Sequence, residues 1–222
     1  MGELFSEFNI LGAFWVTIQL TFFAGIGALV IGTVVAVMRV SPVPILRGFG
    51  TSYVNVFRNT PLTVIMVFSS LGLWQTLGLT LQGQDLKANG FRLAVLALAV
   101  YHASFVCESL RSGINTVQPG QAEAARSIGL TFMQNIRHVV LPQAFRGAVT
   151  PLGNTLIALI KNTTVASVIG VAEASYVMAD ALDARADVLF LIFGMFAIGF
   201  VILTLPVGLL ISAVSDRLQV KR

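Results

Sequence analysis

Histidine, cysteine and charge are all scarce in this chain, and each scarcity closes off a kind of chemistry. His102, His138 and Cys107 are the only residues of their types, so no internal disulfide can form and neither a CxxC nor an HExxH metal site exists. Cys107 reads as a small apolar packing residue. His102 and Glu108 stand six residues apart, on different faces of a helix, and form no triad or dyad. A membrane-embedded acyltransferase or protease needs a nucleophile and base, or metal ligands, converging from different apolar segments, and these segments hold almost none. An ion-driven transporter would be expected to carry acidic or histidine relay residues there, which are equally sparse. The three lysines, Lys87, Lys161 and Lys221, follow no G-x-x-x-x-G pattern, so the chain has no P-loop to hold a nucleotide. Basic residues exceed acidic ones by 14 to 10, but they form no stripe or run, and no nucleic-acid partner is expected.

Apolar surface is what the chain has in quantity. It is 56% hydrophobic and 11% charged, with a mean hydropathy of +0.85, the composition of a protein dissolved in a bilayer. A helix crossing about 30 Å of hydrocarbon needs roughly 20 apolar residues. Five runs qualify: 11–38, 62–81, 91–110, 144–160 and 188–214. The fourth is short and polar for a span, since it carries Arg146, Pro151 and Asn154, and a further apolar run at 165–171 follows it. In the first, Ala24, Ala28, Gly32 and Ala36 recur every four residues, a seam that lets another helix approach closely. Pro206 is expected to kink the last. The chain therefore reads as an all-α membrane protein with five transmembrane helices, one transmembrane domain over residues 1–222.

Orientation follows from the basic residues. With the N-terminus outside, ten fall inside (Arg39, Arg47, Arg58, Arg111, Arg126, Arg137, Arg146, Arg217, Lys221, Arg222) and four outside (Lys87, Arg92, Lys161, Arg185). This favours N-terminus out and C-terminus in, in the cytoplasmic membrane. The first residues, acidic at Glu3 and Glu7, lack the basic region of an ordinary signal peptide.

The stretch TVQPGQAEAARSIGLTFMQNIRHVVLPQ at 116–143 then lies inside. Pro119 suits a helix start, residues 121–128 are good helix formers, and Gly129 sits where a left-handed residue is wanted. Thr131 with Gln134 makes a capping box for a second helix, expected to stop by Pro142. Phe132, Met133, Ile136, Val139 and Val140 give that helix an apolar face, which fits either an interfacial helix on lipid or a docking element.

Lys161, Asn162, Thr163 and Thr164 fall between two apolar runs, with Ser167 just inside the second. Residues 148–160 span only about 20 Å of helix, so this polar cluster is expected within the membrane's thickness, where irregular backbone lines a cavity or is buried in protein. The alternative is that Lys161 reaches the far headgroups. Asn154 is a second candidate pathway residue or, equally, an interhelical hydrogen-bonding group. Arg58 and Pro61 open the second span, and Glu108 and Arg111, one turn apart, pair with each other or with neighbouring loops.

Glu123-Ala124-Ala125, three residues, Gly129, nine residues, then Val139, one residue, Leu141 and Pro142 resembles the "EAA" motif of permease subunits in ATP-binding-cassette importers. Val139 stands where isoleucine is common. FRNTPL at 57–62, ESLRSGINTV at 108–117, GQAEAARSIGL at 120–130, LPQAFR at 141–146 and LIALIKNTTVASVIGVAEAS at 156–175 are similar to the polar amino acid branch of that family. The combination looks most like the permease subunits of actinobacterial glutamate importers. The resemblance implies a type I importer permease fold, with a cytoplasmic helix-turn-helix coupling element between the third and fourth helices. Gly120, Glu123, Ala124, Ala125, Gly129, Leu141 and Pro142 would couple the chain to a cytoplasmic ATPase dimer. It implies no cofactor in this chain, since ATP and Mg would be bound by the ATPase subunits. A second related permease chain, in a heterodimer or a homodimer, and an extracytoplasmic solute-binding protein would complete the assembly. The implied cargo is a polar amino acid, glutamate first, with glutamine or aspartate as alternatives.

Overall fold

A computed structural model describes residues 7–81 and 85–218; Glu3, Lys221 and Arg222 lie outside them. Helix α1 (Ile10–Val40) is capped by Asn9, whose Oδ1 accepts the Gly12 amide at 3.0 Å. Its small-residue seam faces α4 (Leu86–Asn115), and Ala24, Ala28, Gly32 and Ala36 are all buried. A Cβ on Gly32 would stand 2.7 Å from both the Ala103 carbonyl oxygen and Val106, so the two backbones are in contact there.

The connection between α1 and α4 departs from expectation. Residues Pro44–Asn59 form a separate helix, α2, that tucks Gly50 and Val54 inward and leaves Ile45, Phe49 and Val56 exposed. Thr60 is extended (φ −100°, ψ 130°), as a residue before proline tends to be, and the chain turns by 102° into the helix Leu62–Thr76. The run expected to cross at 62–81 is thus α3 (Leu62–Val67) continued by a π-helical stretch, Phe68–Thr76. Among the described residues four helices are long and apolar enough to span a membrane, or five if the bent pair counts as one span.

The fourth span is not short. Helix α5 (Pro119–Ser127) is followed by the single turn α6 (Phe132–Asn135), a π stretch (Ile136–Val140) and α7 (Leu141–Asn162). Pro142 does not end the second helix as expected. It falls at the second position of α7, inside a helical run that continues from Phe132, and the π stretch just before it accommodates the missing N–H. The π stretch prepares this: the Leu141 amide reaches back five residues to the Ile136 carbonyl, and the Gln143 side-chain amide donates to the Val139 carbonyl at 3.0 Å. The resulting run, Ile136–Ile169, has 34 residues.

After a 3₁₀ stretch, Thr163–Ile169, come α8 (Ala174–Ala184) and α9 (Leu189–Leu218), which holds Pro206 in its interior. Phe14 of α1 stacks on Phe196 of α9 at 5.7 Å. The end of the molecule that carries residues 116–143 is its base, and the opposite end its top.

Glu173, between the last two spans, is fully buried and caps α8 by accepting the Ser175 and Tyr176 amides, both at 2.9 Å. Burial pushes its carboxyl up to about 7, against the two amides that favour the charged form. The folded chain therefore takes up a proton between its ordinary value of 4.5 and about 7. Stability from this group is greatest at the acid end of that window, is lost as pH rises through it, and is flat above. We expect the thermal midpoint in detergent to fall over that interval and the slope to diminish in Glu173→Gln; an unchanged slope would remove Glu173 as its source.

Candidate functional site

At the base, α5 ends in a Schellman turn. The Leu130 amide donates to the Ala125 carbonyl at 3.1 Å and the Gly129 amide to Arg126 at 3.0 Å, with Gly129 at φ +90°. A Cβ on Gly129 would meet nothing within 4 Å, so backbone conformation alone requires glycine here. Gly129→Val is expected to cost about 1–2 kcal/mol in that turn, read as faster hydrogen exchange at the Gly129 and Leu130 amides with the global melt unchanged.

The capping box is present as the sequence predicts. Gln134 Oε1 accepts the Thr131 amide at 2.9 Å, and Thr131 Oγ1 accepts the Gln134 amide at 3.4 Å. The motif residues divide by face. Ala125 is buried, whereas Gly120, Glu123, Ala124, Arg126 and Ile128 are exposed, as are Leu141 and Pro142 where α7 begins. Among the described residues the Glu123 carboxylate makes no hydrogen bond or ion pair; its backbone carbonyl accepts Ser127 Oγ at 3.0 Å. The base thus presents a low-relief helix with one free anionic group, one cation and an apolar tip, on a stiff glycine turn.

Just above it, Glu108 gathers three arginines. Arg39 of α1 donates to its Oε1 in a short contact, Arg111 stands at 3.4 Å and Arg58 at 3.9 Å. Arg58 also lies over the Phe105 ring at 5.5 Å. The expected Glu108–Arg111 pair is there, but the cluster's larger effect is to tie α1, α2 and α4 together.

The candidate pathway residues are not brought together. Asn162 at the end of α7 turns toward α4, where its side-chain amide lies 3.2 Å from His102 Nε2, while His102 Nδ1 meets the Leu98 carbonyl at 3.0 Å. A neutral ring donating through Nδ1 and accepting at Nε2 satisfies both contacts. Thr163 is fully buried, and the hydroxyls of Thr163, Thr164 and Ser167 donate to carbonyls three residues back at 2.7–2.8 Å. Lys161 is exposed, with no carboxylate within 4 Å among the described residues. Asn154 stands about 80° round α7 from Asn162, at 3.6 residues per turn, and faces α9. Sequence reasoning missed the His102–Asn162 contact and the Ser109–Thr155 hydrogen bond at 3.1 Å. Their partners lie 60 and 46 residues apart, and no local pattern announces them.

Comparison with known proteins bears on these features together. The sequence profile of the family described as "Binding-protein-dependent transport system inner membrane component" matches residues 28–220. The chain is 56% identical over 218 residues to the glutamate transport system permease protein GluC of Corynebacterium efficiens, covering 96% of each. It is 33% identical over 217 residues to the probable glutamine ABC transporter permease protein GlnM of Bacillus subtilis, covering 97% of this chain and 96% of that one. Among solved structures it superposes on one chain of an amino acid ABC transporter crystallised with histidines. The TM-score is 0.83 at 32% identity, over 94% of this chain and 93% of that one.

Proposed function

Because the chain belongs to the family of binding-protein-dependent transport system inner membrane components, a transport subunit with several membrane helices whose ATPase is a separate polypeptide, we propose that it is the permease of an ATP-driven importer of glutamate. The observation that carries this reading is the exposed α5 helix at the base, ended by the left-handed Gly129 with Glu123 free on its outer face. Such an element has no use in a chain that works alone. The cargo rests on relatives such as the Corynebacterium efficiens glutamate permease, similar over 96% of both chains; glutamine and aspartate are the alternatives.

In this reading the base is cytoplasmic, with the N-terminus outside and the C-terminus inside, as the ten-to-four distribution of basic residues favours. ATP and Mg bind to the ATPase dimer, whose closure pushes on Gly120, Glu123, Ala124 and Ala125. The push enters the membrane through a continuous helical path, since residues from Phe132 to Asn162 run without a break. Leu141 and Pro142 sit where that path begins. Tilting of α7 then opens the pathway alternately to the two sides, and an extracytoplasmic binding protein delivers the amino acid. Two permease chains, this one and a related partner, enclose the pathway, because one asymmetric chain of five spans is too small to do so. Lys161 at the top of α7 and Thr164 in the 3₁₀ stretch after it, with Asn162, Thr163 and Ser167 behind them, form its outer part.

Uptake of labelled glutamate, in cells with and without this chain and challenged by unlabelled glutamine, aspartate and arginine, tests the proposal. Loss of uptake on deletion, competed chiefly by glutamate or aspartate, is the expected result. Intact glutamate uptake would overturn the cargo, and intact uptake of every amino acid tested would overturn the importer.

A further inference from the structure

Where α1, α2 and α4 meet, Glu108 is outnumbered. Its Oε1 draws in Arg39, Arg58 and Arg111, three permanently charged guanidiniums around one carboxylate. One carboxylate oxygen has only about two lone pairs to offer. Arg39, the most buried of the three, takes the short contact; Arg111 stands at 3.4 Å, and Arg58, at 3.9 Å, is beyond hydrogen-bond reach. Among the described residues the Arg58 side chain makes no hydrogen bond, although its guanidinium is held over the Phe105 ring at 5.5 Å. The corner thus carries surplus positive charge, and N–H groups from α2 and α4 converge there with nothing to donate to.

The surface beside it is apolar. On α2, Ile45, Phe49 and Val56 share one face at helical spacing, on the far side from the buried Gly50 and Val54, and each is more than half exposed. The chain turns by 102° between α2 and the run Leu62–Thr76, so the two cannot both lie along the spans. Leu62–Thr76 carries no charged residue, whereas α2 carries Arg47 and Arg58. Of the two, α2 is therefore the one suited to the membrane interface, with its apolar face toward acyl chains and its arginines at headgroup level. Its depth agrees, for a Cβ on Gly50 would stand 2.7 Å from the side chain of Arg39, in the last turn of α1.

A soluble anion would satisfy the arginines and leave the apolar face without a partner; an uncharged lipid would do the reverse. A zwitterionic head would bring its own cation into a corner that already has too many. We infer that this corner binds the phosphate of an anionic phospholipid from the leaflet at the base, gripped by Arg58 and Arg111, with its acyl chains along Ile45, Phe49 and Val56. Guanidinium forks match phosphate oxygens in pairs, and anionic headgroups attract arginines next to a span. The lipid would have a structural task, because Glu108 and Arg111 lie in the last turns of α4, which leads into the segment 116–143. An occupied corner fixes α2 against the helix that carries that segment. The inference rests on membership of a membrane transport family and not on the cargo.

The test uses the whole transporter, purified with its ATPase subunits, stripped of lipid and titrated with phosphatidylglycerol, phosphatidylcholine or inorganic phosphate under native mass spectrometry. Phosphatidylglycerol is expected to bind about tenfold more tightly than phosphatidylcholine, and Arg58→Gln to weaken it roughly tenfold. Arg58 has no hydrogen bond to lose, so this variant should fold. The paired control, Arg146→Gln with Arg217→Gln, removes two exposed charges from the same end of the molecule and should change nothing. Phe49→Ser keeps every arginine and sacrifices no buried contact, since Phe49 is 62% exposed; it should weaken the lipid but not inorganic phosphate. Undiminished phosphatidylglycerol binding in Arg58→Gln, or an equal fall in the control pair, would overturn the site. Displacement of the lipid by inorganic phosphate, with Phe49→Ser indifferent, would make this a small-anion site and overturn the lipid. A benzophenone amino acid at position 49 that cross-links to a subunit rather than to lipid would put protein on this face and overturn it too. None of these readouts depends on which amino acid is carried, so failure of the uptake assay and failure of this inference are separate results.

Discussion

Glu123→Ala is expected to abolish uptake and substrate-stimulated ATP hydrolysis while leaving the chain folded and in the membrane. The two halves of that expectation have separate physical sources. The Glu123 carboxylate makes no hydrogen bond or ion pair within the chain's described residues, and its backbone role, accepting from Ser127 Oγ, survives truncation. Alanine is also the better helix former, so α5 should be as stable as before. The loss falls on what the carboxylate meets outside the chain. An interface anchor truncated to alanine costs on the order of 2 kcal/mol or more, roughly a 30-fold weakening. Docking of the ATPase and stimulated hydrolysis should fall together, while the melting midpoint of the isolated permease stays put. Arg126→Ala, exposed on the next turn, is the useful comparison, because a general electrostatic effect would move both variants alike. Undiminished ATPase co-purification and coupling in Glu123→Ala would mean that α5 is not the docking surface.

The base was legible in the sequence because its signals are local. Gly129 and the Thr131/Gln134 pair each need only three or four neighbours to state a turn or a cap, and the backbone follows them. Pro142 misled for the opposite reason. Proline says that an N–H is missing, and whether that ends a helix depends on the hydrogen-bond register around it, which the π stretch Ile136–Val140 shifts just before Pro142. Helix α2 was invisible to a search for apolar runs, since Arg47, Gly48, Gly50, Asn55 and Arg58 interrupt it. Its helicity comes from burying Gly50 and Val54 against the end of α1. Asn154 was set beside the polar cluster at 161–167 as a second pathway candidate because the two are close in sequence. Eight residues of helix turn Asn154 and Asn162 to different neighbours, one toward α9 and the other toward His102. Glu108 shows both kinds of signal: Arg111 is three residues away and expected, whereas Arg39, 69 residues away, is not.

The same distinction governs a substitution that should disable the chain from within. Gly113→Ala is expected to lower the thermal midpoint markedly and to uncouple whatever transporter still assembles, and Gly113→Val to prevent accumulation in the membrane. Helices α4 and α7 cross at this residue. A Cβ on Gly113 would lie 2.2 Å from the Ala144 carbonyl oxygen and 2.8 Å from the Ala148 backbone nitrogen, atoms that no side-chain rotation can move. The crossing is tight from the other side too, for a Cβ on Gly147 would stand 3.2 Å from the Gly113 Cα and 2.5 Å from Thr116 Oγ1. Overpacking by a single methyl commonly costs about 1–3 kcal/mol, and here only separation of two helix backbones relieves it. That separation would fall at the point where α4 leads into the segment 116–143 at the base and the chain returns through α7. A push at α5 would then reach a splayed joint rather than a closed one. Gly48→Ala is the control: nothing lies within 4 Å of its Cβ, and alanine in a helix should be neutral or stabilising by about 0.5–1 kcal/mol. If Gly113→Ala melts with Gly48→Ala, the α4/α7 backbones do not touch in the membrane, and the route by which the base drives α7 must be sought elsewhere.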